Sequence, residues 1–151
     1  MALTRIATGV DAEALMRLIN AAFIVERSFI DVDRVRLHEV EELQQSGVFL
    51  VAGEMDACVY VELRRDRGYF GLLSVDPARQ GRGLGKAMVD AAEQYCRERG
   101  CRWMDLRVVS VREELPPFYR RLGYAECGVE PFVSEYPTKM PVHLLKMAKT
   151  L

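Results

Sequence analysis

The sequence predicts a single α/β domain: a mixed, mostly antiparallel sheet flanked by helices. Three observations carry that reading. The chain has 151 residues, room for one buried core and not for a second module. Three strand-like segments follow one another at turn distance between Val48 and Val75, and the strongest helical period of the chain then separates them from a further strand. With 50% hydrophobic and 28% charged residues, the composition fits a compact fold and argues against disorder or a coiled coil.

The elements follow in order. Ala2–Ala7 is short and apolar enough for a first strand, and Thr8–Asp11 offers capping oxygens before Leu15, Leu18, Ile19, Ala22 and Phe23 at helical spacing. Asp31–Gln45 predicts a second helix on a looser stripe of Val32, Val35, Val40 and Leu43, with Gly47 as its stop. Val48–Ala52, Ala57–Leu63 and Tyr69–Val75 read as three strands in an antiparallel meander. Leu84, Ala87, Met88, Ala91, Ala92, Tyr95 and Cys96 recur at three and four residues, and Gly100 closes the helix they mark. Trp103–Val109 reads as a strand that a helical crossover sets parallel to its predecessor. A short helix starts near Glu114–Pro116, where proline is tolerated, and Gly123 caps it. Pro131–Met140 reads as a loop and His143–Met147 as the last strand.

Twenty-one Lys and Arg against twenty-two Asp and Glu give a net charge of -1, too weak a field to hold nucleic acid or an anionic membrane. Any bound anion must be captured by local charges. No apolar run approaches the ~20 residues of a membrane span, and the segment around Arg5, Gly9 and Asp11 lacks a signal peptide's apolar region, so the expected location is the cytoplasm. Cys58, Cys96, Cys101 and Cys127 stand 38, 5 and 26 residues apart, which predicts reduced, mostly buried thiols. With only His38 and His143 besides, no metal site is expected.

The most informative segment is Leu72–Met88, LLSVDPARQGRGLGKAM, where a strand passes through a glycine-rich turn directly into the amphipathic helix. Such a turn suits phosphates. The first N–H groups of a helix lack intrahelical partners and carry the positive end of its dipole, and glycines let an anion approach the backbone. Gly81, Gly83 and Gly85 supply the access, and Arg79, Arg82 and Lys86 supply cations. Each charge-assisted hydrogen bond here is worth about 1.5–3 kcal/mol. A Walker loop is excluded because Gln80 and Ala87 stand where its first Gly and its Ser or Thr belong, and a dinucleotide fingerprint because Lys86 replaces its third glycine.

Gln80, Gly83 and Gly85 match the Q/R-x-x-G-x-G/A acyl-CoA motif, and the segment resembles that of the GNAT superfamily of N-acyltransferases. Val75 and Pro77 match the V-x-P that precedes it, and Phe118–Tyr124 resembles the family's second signature, FY-x-x-x-G-F/Y, about 35 residues downstream. The likeness extends over nearly the whole chain. It implies that the amides of Gln80, Gly81, Arg82, Gly83, Leu84, Gly85 and Lys86 hold the diphosphate of acetyl-CoA as acyl donor. It further implies that the strand ending at Val75 splays from its neighbour at a bulge, and that main-chain groups of Leu73, Ser74 and Val75 meet the pantetheine arm and the oxyanion. Tyr119 then stands where the family carries a general acid. Ser110 occupies a position where many members have Asn, and its shorter reach weakens that contact.

The base is open: Glu62 alternates with Tyr60 toward the expected acceptor cleft, with Glu54, Glu39 and His143 as alternatives. Between the first two helices, Glu26, Asp31, Asp33, Glu39, Glu41 and Glu42 face Arg27, Arg34 and Arg36, a local charge of -3 that leans toward a cationic amine. The resemblance therefore implies one N-acetyltransferase domain, residues 1–151, acting on a small-molecule primary amine without nucleic acid, membrane or metal. Acetylation of a protein or peptide amine and a non-catalytic acyl-CoA sensor are the rival readings. Exposed Met and aromatic residues leave room for a homodimer.

Overall fold

A computed structural model describes residues 3–151 of the chain. Seven strands form one sheet: β1 (Thr4–Ile6), β2 (Val48–Ala52), β3 (Ala57–Arg64), β4 (Arg67–Val75), β5 (Trp103–Val109), β6 (Ala125–Pro131) and β7 (His143–Thr150), in the order β1-β2-β3-β4-β5-β7-β6. Every pair is antiparallel except β4 with β5. The helices are α1 (Ala12–Ala22), α2 (Leu37–Ser46), α3 (Leu84–Arg97) and α4 (Leu115–Arg121). The expected first strand began at Ala2, which lies outside the described residues.

Both faces of the central strands are covered, and the sequence shows why. In β2 the run Val48–Ala52 is apolar without alternation because Phe49 and Val51 pack under α1 while Leu50 and Ala52 pack under α3. On the α1 side Leu15, Ile19 and Val40 are fully buried, and on the α3 side Met88, Val89 and Ala92. A large side chain buried in this way contributes about 1.5–3 kcal/mol.

The second helix begins at Leu37, six residues later than expected. Asn20 of α1 holds Val35 from both sides, its amide donating to the Val35 carbonyl at 2.9 Å and its oxygen accepting from the Val35 N–H at 2.9 Å. Those bonds occupy the backbone groups a helix would need. Glu39 then accepts from the Arg36 N–H at 2.9 Å and starts the helix. Gly47 does end α2, but with extended backbone (φ -162°). A Cβ there would meet the Val61 carbonyl at 2.3 Å, so close approach to β3 requires the glycine.

Strand β6 was not expected from the sequence. Among the described residues it pairs only with β7, and nearly every residue of it is exposed, so it carries neither apolar alternation nor a buried run. The segment after it is largely irregular, as expected, apart from a bridge between Ile30 and Thr138. The short helix starts at Leu115 with its prolines in the first turn, and Gly123 follows it at φ +98°. The final strand runs on to Thr150.

Candidate active site

The site is built where β4 parts from β5. Arg67, Gly68 and Tyr69 face Trp103, Met104 and Asp105 in three parallel rungs, and from Phe70 onward β4 has no partner on that side. The cause is in β4. Cys58 faces Ser74 and Tyr60 faces Gly71, so Val59 alone opposes both Leu72 and Leu73, a bulge with Leu72 at φ +52°. A bulge bends its strand, and this one bends β4 away from β5.

Beyond the bulge the Asp76 N–H donates to the Asp56 carbonyl on the β3 side at 2.8 Å. Alternation of extended backbone then turns the N–H and C=O of Val75 and Leu73 toward the gap. Ser74 faces the other way. It is 1% exposed, its hydroxyl donates to the Leu72 carbonyl at 2.9 Å, and it stands opposite Cys58 of β3, so the expected contact of Ser74 with the pantetheine arm is not favoured by this geometry.

The glycine turn follows directly. The Asp76 carboxylate accepts from the Ala78 N–H at 2.9 Å and starts a single turn over Pro77–Arg79. Gly81 (φ +81°) and Gly83 (φ +74°) then take left-handed conformations that let the chain enter α3. The first helical bond joins the Ala87 N–H to the Gly83 carbonyl at 3.0 Å. Among the described residues, no N–H from Gln80 through Lys86 has a hydrogen-bond acceptor. A Cβ on Gly81 or Gly83 would meet nothing within 4 Å, so the approach to these groups is open. A row of unpaired donors at the positive end of a helix dipole, reached without steric hindrance, fits a diphosphate.

Two of the three cations near the turn are already paired, Arg79 with Asp56 at 3.2 Å and Lys86 with Asp90 at 2.9 Å. Arg82 is the one without an ion pair among the described residues.

The gap opens into a cavity of about 980 Å³ lined by Leu73, Val109, Arg112, Phe118 and Tyr119 among others. Phe118 links it to the turn, its ring lying 3.5 Å from where a Cβ of Gly85 would be. Tyr119 is 6% exposed and sits in an aromatic cluster with Phe70, Phe118 and Tyr124. Burial pushes its phenol well above the ordinary range, and nearby Arg112 only partly offsets this. Tyr124 is anchored in turn: its hydroxyl donates to Glu93 of α3 at 2.8 Å, and the Lys149 ammonium donates to both Glu93 oxygens at 3.1 Å. Ser110 lies at the end of β5 with its hydroxyl accepting from the His143 N–H at 3.0 Å, so that oxygen ties β5 to β7.

Glu62 lines a second lobe of about 420 Å³ that shares Arg34, Tyr69, Gly71, Leu72 and Arg107 with the first. It accepts from the Tyr60 hydroxyl at 2.7 Å and from Arg64 at 2.8 Å. Burial raises its pKa, but these bonds and the charges of Arg64 and Arg107 outweigh burial and hold the carboxyl below its usual range. Of the other candidate bases, Glu39 lines both lobes but is engaged by Arg36, and neither Glu54 nor His143 borders either lobe.

Within the acidic segment between α1 and α2 the structure pairs several of the charges and brings in one cation from outside it. Arg27 binds Asp31 at 2.9 Å and Asp33 at 3.0 Å, and Arg36 binds Glu39 at 3.3 Å. Glu26, 7% exposed, is bound at 2.9 Å by Arg112 from the loop after β5. Sequence reading missed Arg112 and Arg107 because each reaches the cavity from elements far along the chain, and no local pattern marks them.

A sheet opened between two parallel strands, with unpaired helix N-terminal donors at the mouth of the opening, defines the acyl-CoA transferase class of fold. The chain belongs to the acetyltransferase (GNAT) domain family, whose profile matches residues 25–146. A mycothiol acetyltransferase of Saccharopolyspora erythraea is 30% identical over 125 residues, 78% of this chain and 41% of that protein. A streptothricin acetyltransferase of Streptomyces lavendulae is 30% identical over 76 residues, 50% of this chain and 40% of that one. The chain thus spans less than half the length of these relatives. The solved structure of yncA from Salmonella typhimurium with its cofactor acetyl-CoA superposes with a TM-score of 0.74 at 21% identity, covering 100% of this chain and 94% of that one, a likeness of fold. No helix of the described residues is long and apolar enough to cross a membrane, and no group of three or more His, Cys, Asp or Glu among them could hold a metal ion.

Proposed function

We propose that this domain transfers an acetyl group from acetyl-CoA to the primary amine of a small molecule by direct attack. The observation that carries the reading is the continuity of three features: the unpaired donors of Gln80–Lys86, the opened edge of β4 at Leu73–Val75, and the cavity walled by Phe118 and Tyr119. The turn holds the diphosphate, and the pantetheine arm lies along the freed main-chain groups of Leu73 and Val75, in place of the missing strand.

The amine nitrogen attacks the thioester carbonyl carbon, the C–S bond breaks, and the proton lost by the amine is matched by one gained at sulfur. An alkylamine of pKa ~10.4 costs about 4.6 kcal/mol to deprotonate at pH 7, so the site must help remove that proton. Glu62, held as a carboxylate, receives the amine as its ammonium, and the proton leaves through water in the open lobe. The oxyanion is stabilised by a main-chain N–H at Leu73–Val75. Tyr119, kept protonated by burial, donates to the departing sulfur, whose thiol pKa of ~8.5 makes it a fair leaving group.

Calorimetry with acetyl-CoA and a thiol-release assay over an amine panel test this. Binding followed by thiol release is the expected result. Binding without release from any amine would assign the domain to acyl-CoA sensing, and absence of binding at millimolar coenzyme would overturn the reading.

A further inference from the structure

We infer that the acceptor is an aminocarboxylate, with Glu62 facing its ammonium and Arg34 with Arg107 taking its carboxylate. This rests on the transfer reaction proposed above and specifies its acceptor. The lobe that holds Glu62 is lined by three arginines, Arg34, Arg64 and Arg107. Their pairing differs. Arg64 is committed to Glu62 at 2.8 Å and stacks 4.2 Å above the centre of the Tyr69 ring. Arg107 lies 5.3 Å from the same ring, and its carboxylate partner, Glu130 at 3.3 Å, is not part of either lobe wall. Arg34 has no ion pair within 4 Å among the described residues and lines both lobes; it rests 5.5 Å from the centre of the Phe23 ring in the first lobe, where its charge also acts on Glu26.

The acids of the same lobe are Glu39, Glu42 and Glu62. Glu39 is neutralised by Arg36, Glu42 is exposed on α2, and Glu62 lines this lobe beside Tyr60, whose hydroxyl donates to it. A plain cationic amine would use the carboxylates of the lobe and leave Arg34 without an ion pair, whereas a zwitterion engages both signs of charge. Guanidinium recognises carboxylate through paired, charge-assisted hydrogen bonds that an amide or hydrogen in its place cannot make.

The test compares amino acids with their own amides, the side chain held constant: methionine with methioninamide, and leucine with leucinamide. The amide has the less basic amine and more free base at pH 7, so intrinsic reactivity favours it. The free acid is expected to be preferred at least about tenfold in kcat/KM, in the range set by a site left with an unpaired polar group. Arg34→Ala, at an exposed position, should bring that ratio near one, while Arg17→Ala on α1 leaves it in place. A second readout needs no turnover: saturation transfer from CoA-loaded protein to N-acetylmethionine but not to its amide, lost in Arg34→Ala. Thiol release with equal efficiency for acid and amide would overturn this inference and leave the transfer reading intact. Carboxylate-selective binding without thiol release from any amine would overturn the transfer reading and with it the acceptor assignment. An unchanged ratio in Arg34→Ala would remove Arg34 from the assignment and with it the inference.

Discussion

Phe70 and Leu72, two residues apart on one strand, pack on opposite faces of the sheet, Phe70 under α3 and Leu72 under α1. Strand alternation would put them on the same face. The extra residue at Leu72–Leu73 opposite Val59 reverses the phase, so Leu73 and Val75 return to the α3 side while Leu72 stays on the other. The same bulge ends the pairing of β4 with β5 after Tyr69 and Asp105. One local irregularity therefore both preserves burial on two faces and frees an edge inside the sheet.

Tyr119 faces the opened edge with its phenol held protonated by burial. Tyr119→Phe keeps the ring and its aromatic contacts, so the fold should survive. Turnover should fall by about 100-fold with little change in the Michaelis constant for acetyl-CoA, as expected for a proton donor. Steady-state kinetics decide, and unchanged turnover would make Tyr119 a packing residue.

Gly83 separates strain from ligand access. Gly83→Ala places a Cβ on a residue at φ +74°, costing about 1 kcal/mol of stability. Gly100→Ala, at φ +86° beyond the other end of α3 and equally free of steric contact, should cost the same. Only Gly83→Ala should also weaken coenzyme binding, by about tenfold or more, which is about 1.4 kcal/mol. Urea melts and calorimetry on the two variants make the comparison.

The thiols should report on burial. Cys58, Cys96 and Cys101 are buried, Cys58 with its pKa pushed by burial up to about 12, while Cys127 is exposed on β6. Only the thiolate reacts. In the native state one thiol should titrate quickly with a disulfide reagent, and all four in denaturant. Cys127→Ser should abolish the fast phase.

Asp11 sets a pH dependence. Hydrogen bonds from Arg5 at 2.9 Å, and next the Thr8 N–H at 2.8 Å, hold its pKa down at about 2 from 3.8. A depressed carboxyl stabilises the fold above its unfolded pKa, and that contribution is lost as pH falls through the folded one. The stability gap between the native protein and Asp11→Asn should therefore be constant above about pH 4 and close between about pH 4 and pH 2. Denaturation midpoints across that window test it, and because Arg5 is half exposed the gap should narrow in high salt.

Much of this was legible in local pattern. The α3 period, the Asp76-to-Gly85 turn and the prolines of α4 each act through neighbours in the chain, so spacing alone located them. Where the outcome depended on distant partners, spacing failed. Asn20 withdrew Val35 from the second helix across 15 residues, and β6 exists only because β7 pairs with it.

The chain's own order of residues determined the domain class and the phosphate-type turn, because backbone conformation at glycine and proline and the period of apolar residues are local properties; the candidate tyrosine came from the family resemblance. Tertiary structure alone decided the charge of the cleft. Arg112 reaches Glu26 across 86 residues and Arg107 enters from β5, so one acid of the segment between α1 and α2 is bound from outside it, and Arg34 lines the lobe that holds Glu62.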